Sequence, residues 1–276
     1  MTVFVAMRRV SRRAWLTGSG AVAGGAAIDA FALEPNWLDV TRHEVAVTGL
    51  PQGLDGFAVA QVTDAHLNGI GAVEERVADT LRNERVQLIV LTGDIIDSEE
   101  KLPVLLEFCH LLRASGATIL ATLGNWEHWG RVPVTKLTRA YRDVAVRLLV
   151  NDVATLADGV RIFATDDSTG GQGRLVWLEG RADAQLLLTH SPAFLDRVPR
   201  EYGRDVLALA GHTHGGQVRL GQHAVPFTPP GSGRFVAGWY SVPYGSAYVS
   251  RGTGTSVVPA RFTCRPELPI FRLRQG

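Results

Sequence analysis

Cysteine is scarce in this chain, with only Cys109 and Cys264 among 276 residues, and neither sits in a recognisable Cys metal-site pattern. That excludes a disulfide framework and a thiolate-held metal. Cys109, inside "LLEFCHLL", reads as a small buried apolar residue. An excess of one charge is also missing: 28 basic and 27 acidic residues give a formal charge of +1. Nothing in that balance calls for nucleic acid or another polyanion as partner. From Glu34 onward there is no low-complexity linker, no internal repeat and no second shift of composition. A hydrophobic content of 46% with 20% charged residues rules out a disordered chain and one that spans a membrane throughout.

The first 32 residues are different. Arg8, Arg9, Arg12 and Arg13 precede "AWLTGSGAVAGGAAI", an uncharged Gly- and Ala-rich stretch that ends near Ala30-Phe31-Ala32. This is the order of a secretory signal. "SRRAWL", Ser11–Leu16, resembles the twin-arginine export signal. The expectation is a signal over residues 1–32, removed near Ala32, with the remainder, residues 33–276, delivered to the periplasm or cell envelope. If the signal stayed uncleaved it would anchor the protein, but the stretch is short and broken by Asp29, which favours cleavage. Cleavage would take four arginines and one aspartate, leaving 24 basic and 26 acidic residues and a net charge of −2.

Beyond the leader, short apolar runs alternate with amphipathic stretches. "FAVAQV" (57–62), "VQLIVLT" (86–92), "ATILATL" (117–123), "VRIFAT" (160–165), "AQLLLT" (184–189) and "DVLALAG" (205–211) read as strands, most of them buried on both faces. "VEERVADTLRNE" and "LPVLLEFCHLLRAS" carry the apolar spacing of helices. The rhythm predicts an α/β fold. The tail from Gly215, rich in Gly and Pro, predicts short strands with long loops.

Polar residues follow the apolar runs in a regular way. Five runs end in Thr63-Asp64-Ala65-His66, Gly93-Asp94-Ile95-Ile96-Asp97, Gly124-Asn125, His190, and Gly211-His212-Thr213-His214. In an open α/β sheet the carboxyl ends of the strands share one edge, where ligand crevices form. Asp64, His66, Asp94, Asn125, His190, His212 and His214 are therefore expected to converge. Singly, each would pass as a helix cap, a turn or a core histidine; five placements at five strand ends point to one site. Imidazole with carboxylate oxygen suits Zn, Fe or Mn. Seven donors exceed one tetrahedral site and suit two adjacent ions sharing a carboxylate. The glycines ahead of Asp94, Asn125 and His212 fit chain that turns tightly beside those ions. His110 and His223 have no such setting and are assigned no role.

Together these segments resemble the calcineurin-like metallophosphoesterase family, whose pattern is D-x-H, G-D-x-x-D, G-N-H-[DE], a lone His and G-H-x-H. Here they run in that order from Asp64 to His214. "GHTHGGQVRL", "RGTGTSVVPARF" and "RPELPIFRL" further resemble an exported, twin-arginine branch of that family. The resemblance implies a four-layer α/β/β/α sandwich with two packed mixed sheets. It implies two divalent or trivalent ions (Mn, Fe or Zn), one held by Asp64, His66 and His214 and the other by Asn125, His190 and His212. Asp94 would bridge them, and Asp97 would orient a ligand or its loop from behind. The implied reaction is hydrolysis of a phosphate monoester, diester or pyrophosphate by a hydroxide held between the ions. The implied partners are a phosphoester, of lipid or cell-envelope origin in one reading, and the export machinery. Membrane contact is expected only through residues 1–32.

One position departs from the pattern. Where the family has the histidine of G-N-H, usually a general acid or phosphate contact, this chain reads Gly124-Asn125-Trp126-Glu127-His128. Indole carries no titratable proton near neutral pH. Losing a general acid typically costs about 10²–10⁴-fold in rate. The sequence offers His128 as a replacement acid, with Glu127 holding its tautomer, and Trp126 as an apolar wall for substrate. Two rival functions remain at this point: a metal-binding protein whose catalysis decayed at Trp126, and a two-metal amidase or lactonase.

Overall fold

The computed structural model describes residues 24–156, 159–176, 184–203, 205–221 and 224–276. Residues 1–23, which carry the twin-arginine motif, lie outside them. The six runs read as strands become β2 (Ala58–Val62), β3 (Leu88–Thr92), β4 (Thr118–Thr122), β7 (Val160–Ala164), β8 (Ala184–Leu188) and β9 (Val206–Ala210). Around them the chain adds β1 (Asp39–Val47), β5 (Arg147–Leu148), β6 (Asp152–Thr155), β10 (Gly238–Val242), β11 (Gly245–Val249) and β12 (Glu267–Gln275).

The strands form two six-stranded mixed sheets, ordered β1-β12-β2-β3-β4-β5 and β10-β11-β9-β8-β7-β6. The β2-β3-β4 pairs and the β7-β8-β9 pairs are parallel. The carboxyl ends of each parallel set therefore share an edge. β12 enters the first sheet parallel to β1 and antiparallel to β2.

Strand side chains alternate faces, so each apolar run feeds two cores. From the first sheet, Val59, Leu88, Val90, Leu120 and Phe271 meet Ile162, Leu186, Leu188, Leu207 and Leu209 of the second, and this is the seam that makes a sandwich. The intervening Ala60, Ile89, Leu91 and Ile119 face outward onto helices α1 (Ala72–Glu84), α2 (Leu102–Arg113) and α4 (Val134–Asp143), while a five-residue α3 (Asn125–Trp129) follows β4.

α1 starts where Glu74 Oε2 accepts from Gly71 N–H, and it stops at Arg85 in the left-handed region (φ 51°). α2 buries Leu105, Phe108, Cys109 and Leu112, one stripe at helical spacing. Burial of each large side chain stabilises the fold by about 1.5–3 kcal/mol. The outer face of the second sheet packs Phe163, Leu187 and Ala208 against Phe194, Leu195 and Tyr202. Among the described residues these last three belong to short 3₁₀ turns, Pro192–Arg197 and Arg200–Tyr202, so the fourth layer is thin. No helix among the described residues is long and apolar enough to cross a membrane.

Candidate metal centre

At the shared strand edge the donor residues form two buried groups. Asp64, His66 and His214 present ligand atoms within 4.8 Å of one another, and Asp94, His190 and His212 do the same. His66 Nε2 faces His214 Nε2 at 3.1 Å, and Asp64 Oδ1 lies 3.4 Å from His214 Nε2. In the other group Asp94 Oδ2 is 3.0 Å from His190 Nε2, while Asn125 Oδ1 lies 3.2 Å from His190 Nε2 and 2.7 Å from His212 Nδ1. The same Asp94 Oδ2 is 3.8 Å from His66 Nε2, which puts this carboxylate between the two groups.

The backbone is bent to achieve this. Asp64, His66, Asp94, His212 and His214 all have φ between 44° and 71°, a region non-glycine residues seldom occupy. Each such residue costs about 1–3 kcal/mol and persists only where its surroundings fix it. The glycine ahead of Asp94 does turn the chain: Gly93 has φ +89°, and a Cβ there would sit 2.5 Å from Gly124 N. Gly124 has φ −107°, so no turn demands it; a Cβ on it would fall 2.2 Å from Asp94 Oδ1. Close approach, not φ, selects that glycine.

The donor set fits cations. His190 Nδ1 bonds Thr92 O at 2.8 Å and His212 Nε2 bonds Pro230 O at 2.8 Å. Donation to these carbonyls uses the outer nitrogens, so His190 Nε2 and His212 Nδ1 turn lone pairs into the site. Burial holds His66 and His214 below the usual imidazole range and His212 down to about 4, the neutral form that a ligand requires. Burial raises Asp64 to about 6, with Asp94 adding to the rise. Burial pushes His190 down, yet Asp94, Asp64 and Asp167 outweigh it and hold the group well above its usual range. A proton on His190 is positive charge drawn in by buried carboxylates. Two cations at the donor groups would meet the same demand.

α3 is where expectation and structure part. Glu127 does not hold His128. Its buried carboxylate accepts the backbone N–H groups of Asp94 (3.0 Å), Ile95 (2.7 Å), Ile96 (3.3 Å) and Gly124 (2.9 Å), pinning the Asp94 turn to α3. His128 is not brought to the donor groups. Its Nε2 bonds Asp166 Oδ1 at 2.6 Å in a separate cleft with Asn151, Gln172 and Arg174. The Asp97 carboxylate pairs with Lys101 Nζ at 2.7 Å, and its charge also acts on His66. Trp126 is at the site: its N–H donates to Asp94 Oδ1 at 2.8 Å and its indole meets His66 edge-on, 5.7 Å between centroids.

Several residues of the site went unread. Asp166 and Asp167 follow β7, a sixth strand end that the rule used for the other five would have flagged. Asp167, fully buried, takes the Ser191 hydroxyl one residue beyond His190. Arg261 is fully buried and donates to the carbonyls of Arg251 (2.8 Å), Gly252 (3.1 Å), Gly254 (3.0 Å) and Cys264 (3.0 Å). That clamp presses the 251–254 loop onto β2's end, where Thr253 N–H reaches Thr63 O at 3.0 Å and Gly254 N–H reaches Asp64 O at 2.9 Å.

Residues 57–216 match the family model described as calcineurin-like phosphoesterase. The chain is 33% identical to the uncharacterized metallophosphoesterase YkuE of Bacillus subtilis, over 97% of this chain and 99% of that protein. It is 27% identical to phosphodiesterase YaeI of Escherichia coli, over 87% of this chain and 90% of that one. Among solved structures, a dimetal phosphatase from Danio rerio is similar over 72% of this chain and 88% of that chain, with 13% identity and a TM-score of 0.48.

Proposed function

The chain belongs to the calcineurin-like phosphoesterase family and is a metal-dependent phosphoesterase, and from that premise we propose that it is exported and hydrolyses a phosphoester at a two-ion centre. Asp64, His66 and His214 would hold one ion, Asn125, His190 and His212 the other, and Asp94 would serve both. Such ions, when bound, activate water for in-line attack and neutralise charge on the phosphoryl oxygens.

The chain's own groups do the rest. Thr92 O and Pro230 O fix the tautomers of His190 and His212. Glu127 fixes the Asp94 turn, and Trp126 N–H holds Asp94 Oδ1 so that Oδ2 points between the groups. The observation that carries this reading is the sharing of one carboxylate by two buried donor groups.

Trp126 stands where the family histidine would, and indole has no titratable proton near neutral pH. The site therefore favours substrates whose leaving group needs no acid, namely aryl phosphoesters, phosphoanhydrides and diesters with a stabilised alkoxide. Metal analysis of the purified protein, followed by a panel of monoesters, diesters and pyrophosphates, tests the reading. About two ions per chain with hydrolysis of at least one class is the expected outcome. Bound ions with no phosphoester turned over, but with amide or lactone cleavage, would sink it.

Export through the folded-protein route is part of the same proposal, motivated by Arg12-Arg13 before an uncharged stretch. Changing both arginines to lysine and fractionating cells is the check. Unchanged delivery to the cell envelope would remove the twin-arginine assignment.

A further inference from the structure

The donor groups open on one side into an apolar cavity of about 540 Å³. Asn125, His212 and His214 of the donor set line it, together with Trp126, Trp129, Val218, Phe227, Val257 and Val258. Among the described lining residues, His212 and His214 are the only ones with a titratable side chain. On the other side His66 borders a smaller polar cleft, about 370 Å³, with Asn68, Thr253 and Thr255. A phosphorus centre at the donor groups would thus have an apolar space to one side and a polar one to the other.

The cavity is of a size that takes a whole small molecule rather than one phosphate group. Its wall offers few hydrogen-bond partners, so a sugar or nucleotide lodged there would leave hydroxyls or ring nitrogens desolvated and unpaired. Hydrocarbon meets no such penalty. The rim strengthens the point, with Trp129 51%, Phe227 69% and Val257 89% exposed on three separate segments of chain. Large apolar side chains gathered at the mouth of a site mark a surface meant to be covered. Trp126 ties wall to centre: its backbone holds Asp94, its ring abuts His66 and it packs edge-on against Trp129 at 5.6 Å. The residue that replaced the family histidine is built into both features.

We propose that the substrate is an amphiphilic phosphoester whose hydrocarbon chain lies in the Trp126–Phe227–Val257 cavity while its polar substituent occupies the His66 cleft. This inference rests on the phosphoesterase reading and narrows it to lipid-type substrates. Hydrolysis adds water across one P–O bond, leaving a phosphate on one product and a free hydroxyl on the other, so no other reactant is needed.

A series of p-nitrophenyl alkyl phosphodiesters, methyl through dodecyl, used below their micelle concentrations with the metal-loaded full-length protein, keeps the leaving group constant. Wild-type kcat/KM should rise about fourfold per buried methylene, the equivalent of about 0.8 kcal/mol, until the cavity is filled. Phe227→Asp and Val257→Asp should each lower the dodecyl-to-methyl ratio at least tenfold. A flat or falling series in wild type, or a ratio unmoved by both substitutions, overturns the inference. Failure to cleave any member of the series would instead strike the phosphoesterase reading.

Calorimetry supplies a readout free of turnover. Decylphosphonate should bind more tightly than methylphosphonate and with a negative heat-capacity change, and both should diminish in the two variants. Equal affinity for the two phosphonates refutes the lipid chain whatever the activity. So would a wild-type dimer that Val257→Asp dissociates without altering the chain-length series, which would assign the cavity to a second copy of the protein.

Discussion

Arg261 lies far along the chain from every donor residue, yet its removal should be felt at the metal centre. Its guanidinium is fully buried and its nearest partners are backbone carbonyls, those of Arg251, Gly252, Gly254 and Cys264. Hydrogen bonds from a charged donor contribute about 1.5–3 kcal/mol each, a gross sum offset by the expense of burying the cation. Arg261→Met removes both the bonds and the buried charge but leaves four carbonyls facing thioether. A net loss of about 3–5 kcal/mol is expected, because each buried carbonyl left without a donor costs about 1–3 kcal/mol and relief of the buried charge offsets part of that sum. In a domain of this size that is a drop of about 6–20 °C in melting temperature. The loop released, residues 251–254, braces the end of β2 through Thr63 O and Asp64 O, where Asp64 is held at φ 54°. Metal affinity should therefore fall in parallel. Arg261→Lys, which keeps the charge but not the fork, should lie between wild type and Arg261→Met. Differential scanning calorimetry on metal-stripped protein and metal titration of each variant measure both effects. A melting temperature within 2 °C of wild type for Arg261→Met would refute the clamp, and unaltered metal binding would refute its link to Asp64.

Four further outcomes are expected. Asp94→Asn should abolish detectable activity and lower bound metal, because a neutral amide serves two cations poorly; two ions retained at full turnover would disprove the shared carboxylate. Glu127→Gln should weaken metal affinity by about 10–100-fold through the loosened Asp94 turn, whereas Asp97→Asn, which breaks the part-exposed Lys101 pair, should change stability by less than about 1 kcal/mol. The His128–Asp166 pair has a pH signature: the Asp166 hydrogen bond raises His128 against the pull of burial, and His128 lowers Asp166 although burial pushes it the other way. Its stabilisation is thus lost as pH falls below the usual carboxylate range and as pH climbs through the raised His128 value; Asp166→Asn should erase that high-pH limb in urea titrations, and an unchanged limb would exclude the pair. Finally, wild-type rates should fall steeply from aryl to alkyl leaving groups, Trp126→His should flatten the series, and His128→Ala should leave its slope alone; a slope that His128→Ala steepens would return the acid role to His128.

The donor set was legible in the sequence because it is a local pattern. Strands covered on both faces must be apolar throughout, so a polar residue at the carboxyl end of such a run stands out, and parallel strands bring those ends to one edge without further information. The strands near the two ends of the chain are harder to read. β1 and β12 pair residue for residue across more than two hundred positions, Asp39 with Glu267 through Val47 with Gln275, and no local periodicity encodes that choice. The same limit applies inside α3. Sequence proximity suggested Glu127 as the partner of His128, but a helix turns successive side chains about 100° apart, so neighbours point to different surroundings. Glu127 went to the backbone of the Asp94 turn and His128 to Asp166, a residue 38 positions away. Trp126 announced itself as a departure, and only packing gave it neighbours: His66 from the end of β2 on one side, Trp129 on the other, and a cavity completed by Val218, Phe227, Val257 and Val258. Strand-end chemistry is written along the chain because burial constrains each strand separately; the wall, the clamp and the pairings exist only where distant segments meet, and their partners are chosen by the packing of the whole.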